Sequence, residues 1–319
     1  MRLGFIGSGD ISHFHIPALI NNKFSISAIG SRPNSIKCLK LAEKYQLSNQ
    51  YCKGGWEEVL SYDIDAIMIC VEVKACLKIL KAALDKGKKV FVEKPVNFEL
   101  KNLNKIKNHK NIKNVFVGYN RRFYQTTNEL KILCSKSSGG TITVNIPDSG
   151  YGIQHIIGNG CHMIDLLRYL VGDFKIVNNI VAENKEKSDI NYFSALCRNQ
   201  KWTILINAHS MKPSNFSISI NSDKNVYELK PIEKLSIYEG MNIIEPSKKL
   251  PLRQYIPNLK YSLFENSKFK PGFDNMHKNF RLFINNEKSN VCSFQDSYDT
   301  LKCCWDLIKS DASKNFKFK

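Results

Sequence analysis

The chain has no run of about eighteen consecutive apolar residues, so no membrane-spanning helix is expected. It has no secretory signal pattern either. Met1 and Arg2 lead directly into Leu3-Gly4-Phe5-Ile6-Gly7, with no small-residue cleavage site behind an apolar core. A cytoplasmic protein is expected. The 10 cysteines include no Cys-x-x-Cys pair and no Cys/His spacing suited to zinc, and most sit in apolar runs, as Cys70 and Cys134 do. Reduced core thiols and no bound metal follow as expectations. Acidic residues are few: 29 against 47 Lys and Arg, a formal net charge of +18. This excess does not point to nucleic acid. The lysines are spread along the chain, and the densest stretch, residues 101–113, reads as the solvated face of a helix. A positive field of this kind favours anionic small molecules such as phosphorylated cofactors and sugar nucleotides.

What is present is a change of pattern along 319 residues. The first 118 residues alternate short apolar runs (2–7, 24–31, 66–71, 89–94, 114–119) with amphipathic helical runs (11–21, 35–45, 56–61, 74–86, 99–108). Strands alternating with helices of this length build βαβ units on a parallel sheet. After Arg121 the pattern shifts. A helix over 127–134, a strand over 141–146, a loop rich in Gly and His and a helix over 161–170 are followed by strands in series. These cover 174–183, 191–198, 201–210, 215–222, 226–230 and 235–238, and short polar turns between them argue for a mostly antiparallel sheet. Pro246, Pro251, Pro257 and Pro271 make 245–271 read as a loop, and helices close the chain over 275–284 and 295–309.

Between the first strand and the first helix stand Gly7, Ser8, Gly9, Asp10, Ile11 and Ser12. In a dinucleotide-binding turn the first glycine permits the sharp bend and the second lets the backbone approach a pyrophosphate. The helix N-terminus then offers free N–H groups and a positive dipole end. Ser12 stands where a third glycine is usual, and a small residue still allows close helix–strand packing. The plain alternative is an ordinary glycine-rich β–α turn. At the end of the second strand an NAD site usually presents Asp or Glu to the ribose 2′-hydroxyl. This chain has Ser31 and Arg32, a hydroxyl and a guanidinium suited to a 2′-phosphate. NADP is therefore the preferred cofactor and NAD the second. Alternatively, Arg32 stacks on the adenine and both are accepted.

Glu93, Lys94 and Pro95 end the apolar strand 89–94, at the sheet edge that faces ligands in open α/β folds. Lys94 there can donate to a substrate hydroxyl or a nascent alkoxide, or can simply be solvated. With GFIGSGDIS at the start, GKKVFVEKP, GYNRRF at 118–123 and GNGCHMIDLLRYLVG at 158–172, the chain resembles the glucose–fructose oxidoreductase / inositol dehydrogenase / rhizopine catabolism (Gfo/Idh/MocA) family; the later FDNMHKNF is a weaker echo. The resemblance implies an α/β Rossmann domain, residues 1–119, then an α+β domain with a large, mostly antiparallel sheet, residues 120–319, for substrate binding and oligomerisation. It implies a cofactor-dependent dehydrogenase or reductase acting on a sugar, polyol or related alcohol or ketone. It places Lys94 as the active-site lysine, a cis peptide bond before Pro95, and Glu93 and Lys94 among the cofactor contacts. Homodimers or homotetramers formed through the exposed sheet face are implied too. Ile204, Ile206, Ile218 and Ile220 are candidates for that face, with core packing as their alternative role.

His162 opens the helix over 161–170, and Asp165 follows on the same face. An imidazole is suited to taking the substrate hydroxyl proton as hydride leaves and returning it in reverse. Capping or structural roles are the alternatives for a lone histidine at a helix start. Under the resemblance His162 becomes the acid/base, and Asp165 orients it or binds substrate. Polyol dehydrogenases of the family carry Asp four residues before this histidine, where this chain has Gly158 beside Asn159. The family's Thr-Pro-Asn after the third strand is also absent, residues 71–76 reading Val-Glu-Val-Lys-Ala-Cys. Under the resemblance, Gly158 shifts the expected substrate toward the sugar nucleotides of surface-polysaccharide biosynthesis, and residues 71–76 mark a remodelled cofactor-side loop. They also motivate a rival: a dinucleotide-binding scaffold or redox sensor without catalysis. Arg122 is a candidate for an anionic part of the substrate or a structural arginine tying the two domains together, and Tyr124 and Asn159 are further substrate candidates. His13 and His15 are read as helix-surface or cleft-wall residues rather than metal ligands.

Overall fold

The computed structural model describes residues 1–148, 153–184, 189–210 and 213–309. The chain divides into two compact units, Met1–Phe123 with Ser267–Lys302 and Tyr124–Asn266 with Cys303–Lys319. The expected division at 119/120 is linear; the observed packing returns the chain to the first unit late in the sequence.

The first unit begins with β1 (Arg2–Ile6), α1 (Ser12–Asn21), β2 (Ser25–Gly30), α2 (Ile36–Lys44), the short α3 (Trp56–Val59), β3 (Ala66–Ile69), α4 (Val73–Asp85), β4 (Lys89–Val92), α5 (Leu100–Lys107) and β5 (Val115–Val117). The strands pair in parallel in the order β2-β1-β3-β4-β5. Such a sheet is covered on both faces, so its strands read as continuous apolar runs; β3 and β5 are buried at every residue. The helices bury one stripe each. In α4 the stripe is Cys76, Ile79, Leu80, Ala83 and Leu84, spaced at three and four residues. Ser35 caps α2 by accepting from the Cys38 N–H at 3.3 Å.

The second unit starts with α6 (Gln125–Lys136) and β6 (Gly140–Asp148). A short α7 (Ile153–His155) runs through a π-helical turn, Ile156–Gly160, into α8 (Cys161–Val171). Part of the loop expected here, residues 149–152, lies outside the described residues. Then follow β7 (Lys175–Asn184), β8 (Asp189–Arg198), β9 (Trp202–Ser210), β10 (Ser217–Ser222), β11 (Asn225–Leu229), β12 (Lys234–Ile244) and β13 (Gln254–Phe264). The eight strands lie in the order β13-β12-β11-β10-β6-β9-β8-β7, and only β6 and β9 pair in parallel.

Two expectations are corrected. Ile204, Ile206, Ile218 and Ile220 are each 0% exposed and form the core, while Leu205 and Leu196, at 41%, face outward. Side chains alternate faces with period two, so the neighbouring residues, not these isoleucines, carry the exposed side. Residues 254–264 are a strand, not a loop. Pro257 fits because β13 is an edge strand and Pro257 pairs with Met241 beside a register shift.

The chain then returns to the first unit with α9 (Phe273–Ile284) and the start of α10 (Phe294–Ile308). The buried face of α9, Phe273, Met276, His277 and Phe280, joins Phe91 and Phe116 in the first unit's core. Phe280 meets Phe91 edge-on at 5.4 Å and Phe116 at 5.7 Å. Among the described residues no helix is long and apolar enough to cross a membrane.

Candidate functional site

The glycine turn leaves β1 where the sheet order reverses, β2 lying on one side and β3 on the other. Ligands bind at such switch points, outside the carboxyl ends of the strands. Gly7 is held against β3 at φ +133°, and a Cβ there would lie 2.0 Å from the Cys70 carbonyl oxygen. Its N–H donates to Gly30 O at 2.9 Å. A Cβ on Gly9 would meet nothing within 4 Å. The open side of the turn is therefore at Gly9, beside the start of α1. That start has no side-chain cap and no acidic residue in its first turn; the Ser12, His13 and Phe14 N–H groups donate to the Gly9, Asp10 and Ile11 carbonyls, so what the helix start offers an anion is its positive dipole end. Ser12 is fully buried behind the turn, and Asp10 points out, its carboxylate 3.2 Å from Lys37 Nζ. These features fit a dinucleotide diphosphate.

At the end of β2, the Ser31 hydroxyl accepts from the Ser8 hydroxyl at 3.5 Å, and Arg32 is exposed. A groove of about 430 Å³ beside them is lined by Ser8, His13, Ile36, Lys37, Lys40, Leu41 and Lys44. Lys37, Lys40 and Lys44 recur at helical spacing, so three ammonium groups border one hollow next to the glycine turn. The spacing of three and four residues between these lysines is the signal the sequence carries for the groove.

Past β4, the Lys94–Pro95 peptide bond is cis. Glu93 Oε2 accepts from the Lys94 N–H at 3.1 Å, and Glu93 Oε1 lies 2.7 Å from His15 Nε2. His15 Nδ1 in turn lies 2.9 Å from His277 Nε2. Both rings are 0% exposed, so His15 is a core residue and not on the helix surface. Burial, helped by His15, pushes the pKa of His277 well below 6.5. Lys270 shares this field: burial lowers its pKa, Glu93 opposes that, and Lys94 and Arg121 add to it. Among the described residues no His, Cys, Asp and Glu are grouped to hold a metal ion.

The other candidates divide between the units. Arg122, in the first, is 4% exposed with its guanidinium 3.7 Å from Asp296 of the same unit. Tyr124, in the second, is buried and immediately precedes α6. Asn159 is half-buried in the π-helical turn, a local widening that often accompanies functional sites. His162, 7% exposed, and Asp165, 1% exposed, lie one turn apart on α8.

The comparisons with known proteins bear on the family and the fold. Residues 1–120 match the family model GFO_IDH_MocA, described as an oxidoreductase family with an NAD-binding Rossmann fold. Among curated relatives, an uncharacterized oxidoreductase of Bacillus subtilis, YrbE, is 28% identical over 187 residues, 53% of each chain. The myo-inositol 2-dehydrogenase of Thermotoga maritima is 27% identical over 135 residues, 41% of this chain and 40% of the relative. The chain thus spans about half the length of the curated relatives it matches. Among solved structures, the UDP-N-acetylglucosamine 3-dehydrogenase of Acidithiobacillus ferrooxidans has a TM-score of 0.76 at 14% identity, with 96% of both chains covered. That likeness shows that both units, and not the first alone, share the fold.

Proposed function

From the premise that residues 1–120 are the NAD-binding Rossmann domain of a Gfo/Idh/MocA oxidoreductase, we propose that this chain is an NADP-preferring dehydrogenase or reductase of a sugar or sugar-nucleotide alcohol or ketone. The observation that carries the reading is the turn at Gly7 to Ile11, open at Gly9, with the lysine-lined groove beside it. In this reading Gly9, Asp10 and Ile11 offer backbone N–H groups to the diphosphate. Ser31, Arg32 and Lys37 receive the 2′-phosphate through charge-assisted hydrogen bonds.

When bound, the nicotinamide supplies the hydride acceptor or donor. The protein supplies orientation and proton transfer. Lys94 donates a hydrogen bond to the substrate oxygen and stabilises it as negative charge develops. His162 takes the hydroxyl proton in oxidation and returns it in reduction. Asp165 orients that imidazole, and Asn159 and Tyr124 contact substrate hydroxyls. The curated and structural relatives, acting by name on an inositol and on a UDP-sugar, support this substrate class. Gly158, where polyol enzymes have Asp, favours the sugar nucleotides of surface-polysaccharide pathways within it. The enzyme is further proposed to work in the cytoplasm as a homodimer or homotetramer.

The test is a titration of the purified protein with NADPH and with NADH, followed by nicotinamide fluorescence, and then a screen of sugar nucleotides for absorbance change at the nicotinamide band. Tighter binding of NADPH with turnover of a sugar nucleotide is expected. Binding without turnover of any sugar or sugar nucleotide would favour a non-catalytic scaffold, and failure to bind either cofactor would overturn both readings.

A further inference from the structure

The geometry at the end of β4 points to a two-histidine hydrogen-bond wire, and we propose that His277, brought in by α9, is a positioning residue that acts through His15 to hold Glu93 and the Lys94 backbone. The inference concerns how the site is held and does not depend on which substrate is turned over.

The direction of the wire follows from donors and acceptors. A carboxylate only accepts, so His15 Nε2 donates to Glu93 Oε1 across 2.7 Å. The neutral ring has one N–H, which leaves His15 Nδ1 as an acceptor 2.9 Å from His277 Nε2. His277 Nε2 therefore donates. Its ring is fully buried and driven toward the neutral form, so its one proton sits on Nε2 and Nδ1 is bare; among the described residues no hydrogen-bond partner reaches that atom. The reverse arrangement would make His15 a cation and leave an N–H at His277 Nδ1 with no acceptor. Buried N–H groups without acceptors are rarer than under-satisfied acceptors. The wire thus runs from His277 through His15 to Glu93. At its far end Glu93 uses its second oxygen to hold the Lys94 N–H.

Packing alone does not call for a histidine here. The His277 ring lies 5.5 Å from Phe91 and 6.2 Å from Phe273, and α9 also carries Phe280 and Phe283. A phenylalanine would fill the same aromatic pocket without burying two ring nitrogens, one of them unpaired. What phenylalanine lacks is the N–H that fixes the His15 tautomer. Without that donor the His15 ring can turn or exchange its proton, and Glu93 loses a rigid partner in the core. Glu93 is also the anion in the field of Lys94, Arg121 and Lys270, so a displaced carboxylate changes the surroundings of the Lys94 ammonium.

The test compares wild type with His277→Phe and His277→Gln, the glutamine amide being able to donate where the histidine does. In ¹⁵N-histidine-labelled wild type at neutral pH, both rings should appear as neutral Nε2–H tautomers, with the His15 proton downfield and slow to exchange. Exchange of that proton should quicken by about tenfold or more in His277→Phe, as expected for loss of a buried partner, and return toward wild type in His277→Gln. After reductive methylation with ¹³C-formaldehyde, the Lys94 line, assigned with Lys94→Arg, should move in His277→Phe and return in His277→Gln. A purely structural role predicts an unmoved Lys94 line and unchanged exchange in a folded His277→Phe protein, and that result overturns the proposal. So does finding either ring as a cation or as the Nδ1–H tautomer in wild type. None of these readings requires substrate, so a failed sugar screen would count against the proposed reaction and leave the wire to be decided on its own signals.

Discussion

Gly7 and Gly9 stand two residues apart in one turn, and their substitution by alanine should separate folding from binding. At Gly7 the new Cβ would lie 2.0 Å from the Cys70 oxygen and 2.6 Å from its carbon, on a backbone at φ +133°. An L-residue in so sparse a region costs about 1–3 kcal/mol before any overlap is relieved. The overlap itself is with backbone, so the carboxyl ends of β1 and β3 must part. Gly7→Ala should lose at least about 2 kcal/mol of unfolding free energy on that count. Gly9 has ordinary backbone geometry and nothing within 4 Å of the added carbon. Gly9→Ala should leave stability equal to wild type or raised by about 0.4–1 kcal/mol through the unfolded chain. The same methyl stands on the open side of the turn, where a diphosphate would approach. Losing one charge-assisted hydrogen bond, worth about 1.5–3 kcal/mol, weakens binding by about ten- to 150-fold. Urea unfolding of both variants, with NADPH and NADH titrations of the folded ones, checks the pair. Gly9→Ala that binds both dinucleotides as wild type does would refute the assignment of the diphosphate to this turn.

Three further outcomes are expected. Arg32→Ala should weaken NADPH by about ten- to 100-fold and NADH by far less, since a charged hydrogen bond to the 2′-phosphate is lost; Lys37→Ala should do the same by about fivefold, and raised salt should reduce the Lys37 effect first. Equal losses for the two cofactors in titration would remove the 2′-phosphate assignment. The depressed pKa of His277 stabilises the fold fully above the unfolded value of 6.5, and this contribution is lost as pH falls toward the folded pKa. Wild type should therefore lose stability relative to His277→Phe with a slope approaching about 1.4 kcal/mol per pH unit below pH 6.5; parallel urea midpoints across that range would contradict it. Burial pushes Cys38 and Cys52 to about 11 and Cys76, Cys134 and Cys303 to about 12. An aromatic disulfide reagent at mildly alkaline pH should thus leave the buried Cys38, Cys52, Cys76 and Cys134 unmodified in the native protein and react with all ten once it is unfolded, and a prompt native reaction at any of these four would count against their burial.

What could be read from the sequence was local. β1 and its glycine turn announce themselves because an apolar run and a turn residue of special backbone geometry sit side by side. The amphipathic run 35–45 does so because its apolar residues recur at helical spacing. The antiparallel sheet was legible as a series of short strands between polar turns. Its faces were not: Ile204 and Leu205 both suit a strand, and only the register with β6 and β8 decides which one is buried. β13 was hidden by Pro257 and by the prolines on either side of the strand, since Pro257 is tolerated only on an edge that no single segment reveals. The Lys37, Lys40 and Lys44 row had a helical period, but its meaning came from the turn beside it.

The two-histidine wire marks where local reading must fail. His15 and His277 are 262 residues apart, and nothing near either one distinguishes a buried ligand of the other from a polar residue on a helix face. His15 sits three residues past the start of α1 and takes its face from Ile16 and Leu19, which pack inward. His277 takes its face from Phe273 and Phe280, the amphipathic stripe of α9. Each ring is thus driven inward by hydrophobic neighbours that were legible, and the cost of burying its nitrogens is offset only when the two helices meet beside β4. The Asn21 and Asn22 amides, which donate to the Asp274 carboxylate at 2.7 and 2.8 Å, fix α1 against α9 so that they do meet. His15 then gains a buried partner because α9 has folded back onto the start of the chain. The residue that prepares Lys94 lies in the segment a linear division at 119/120 assigns to the other domain.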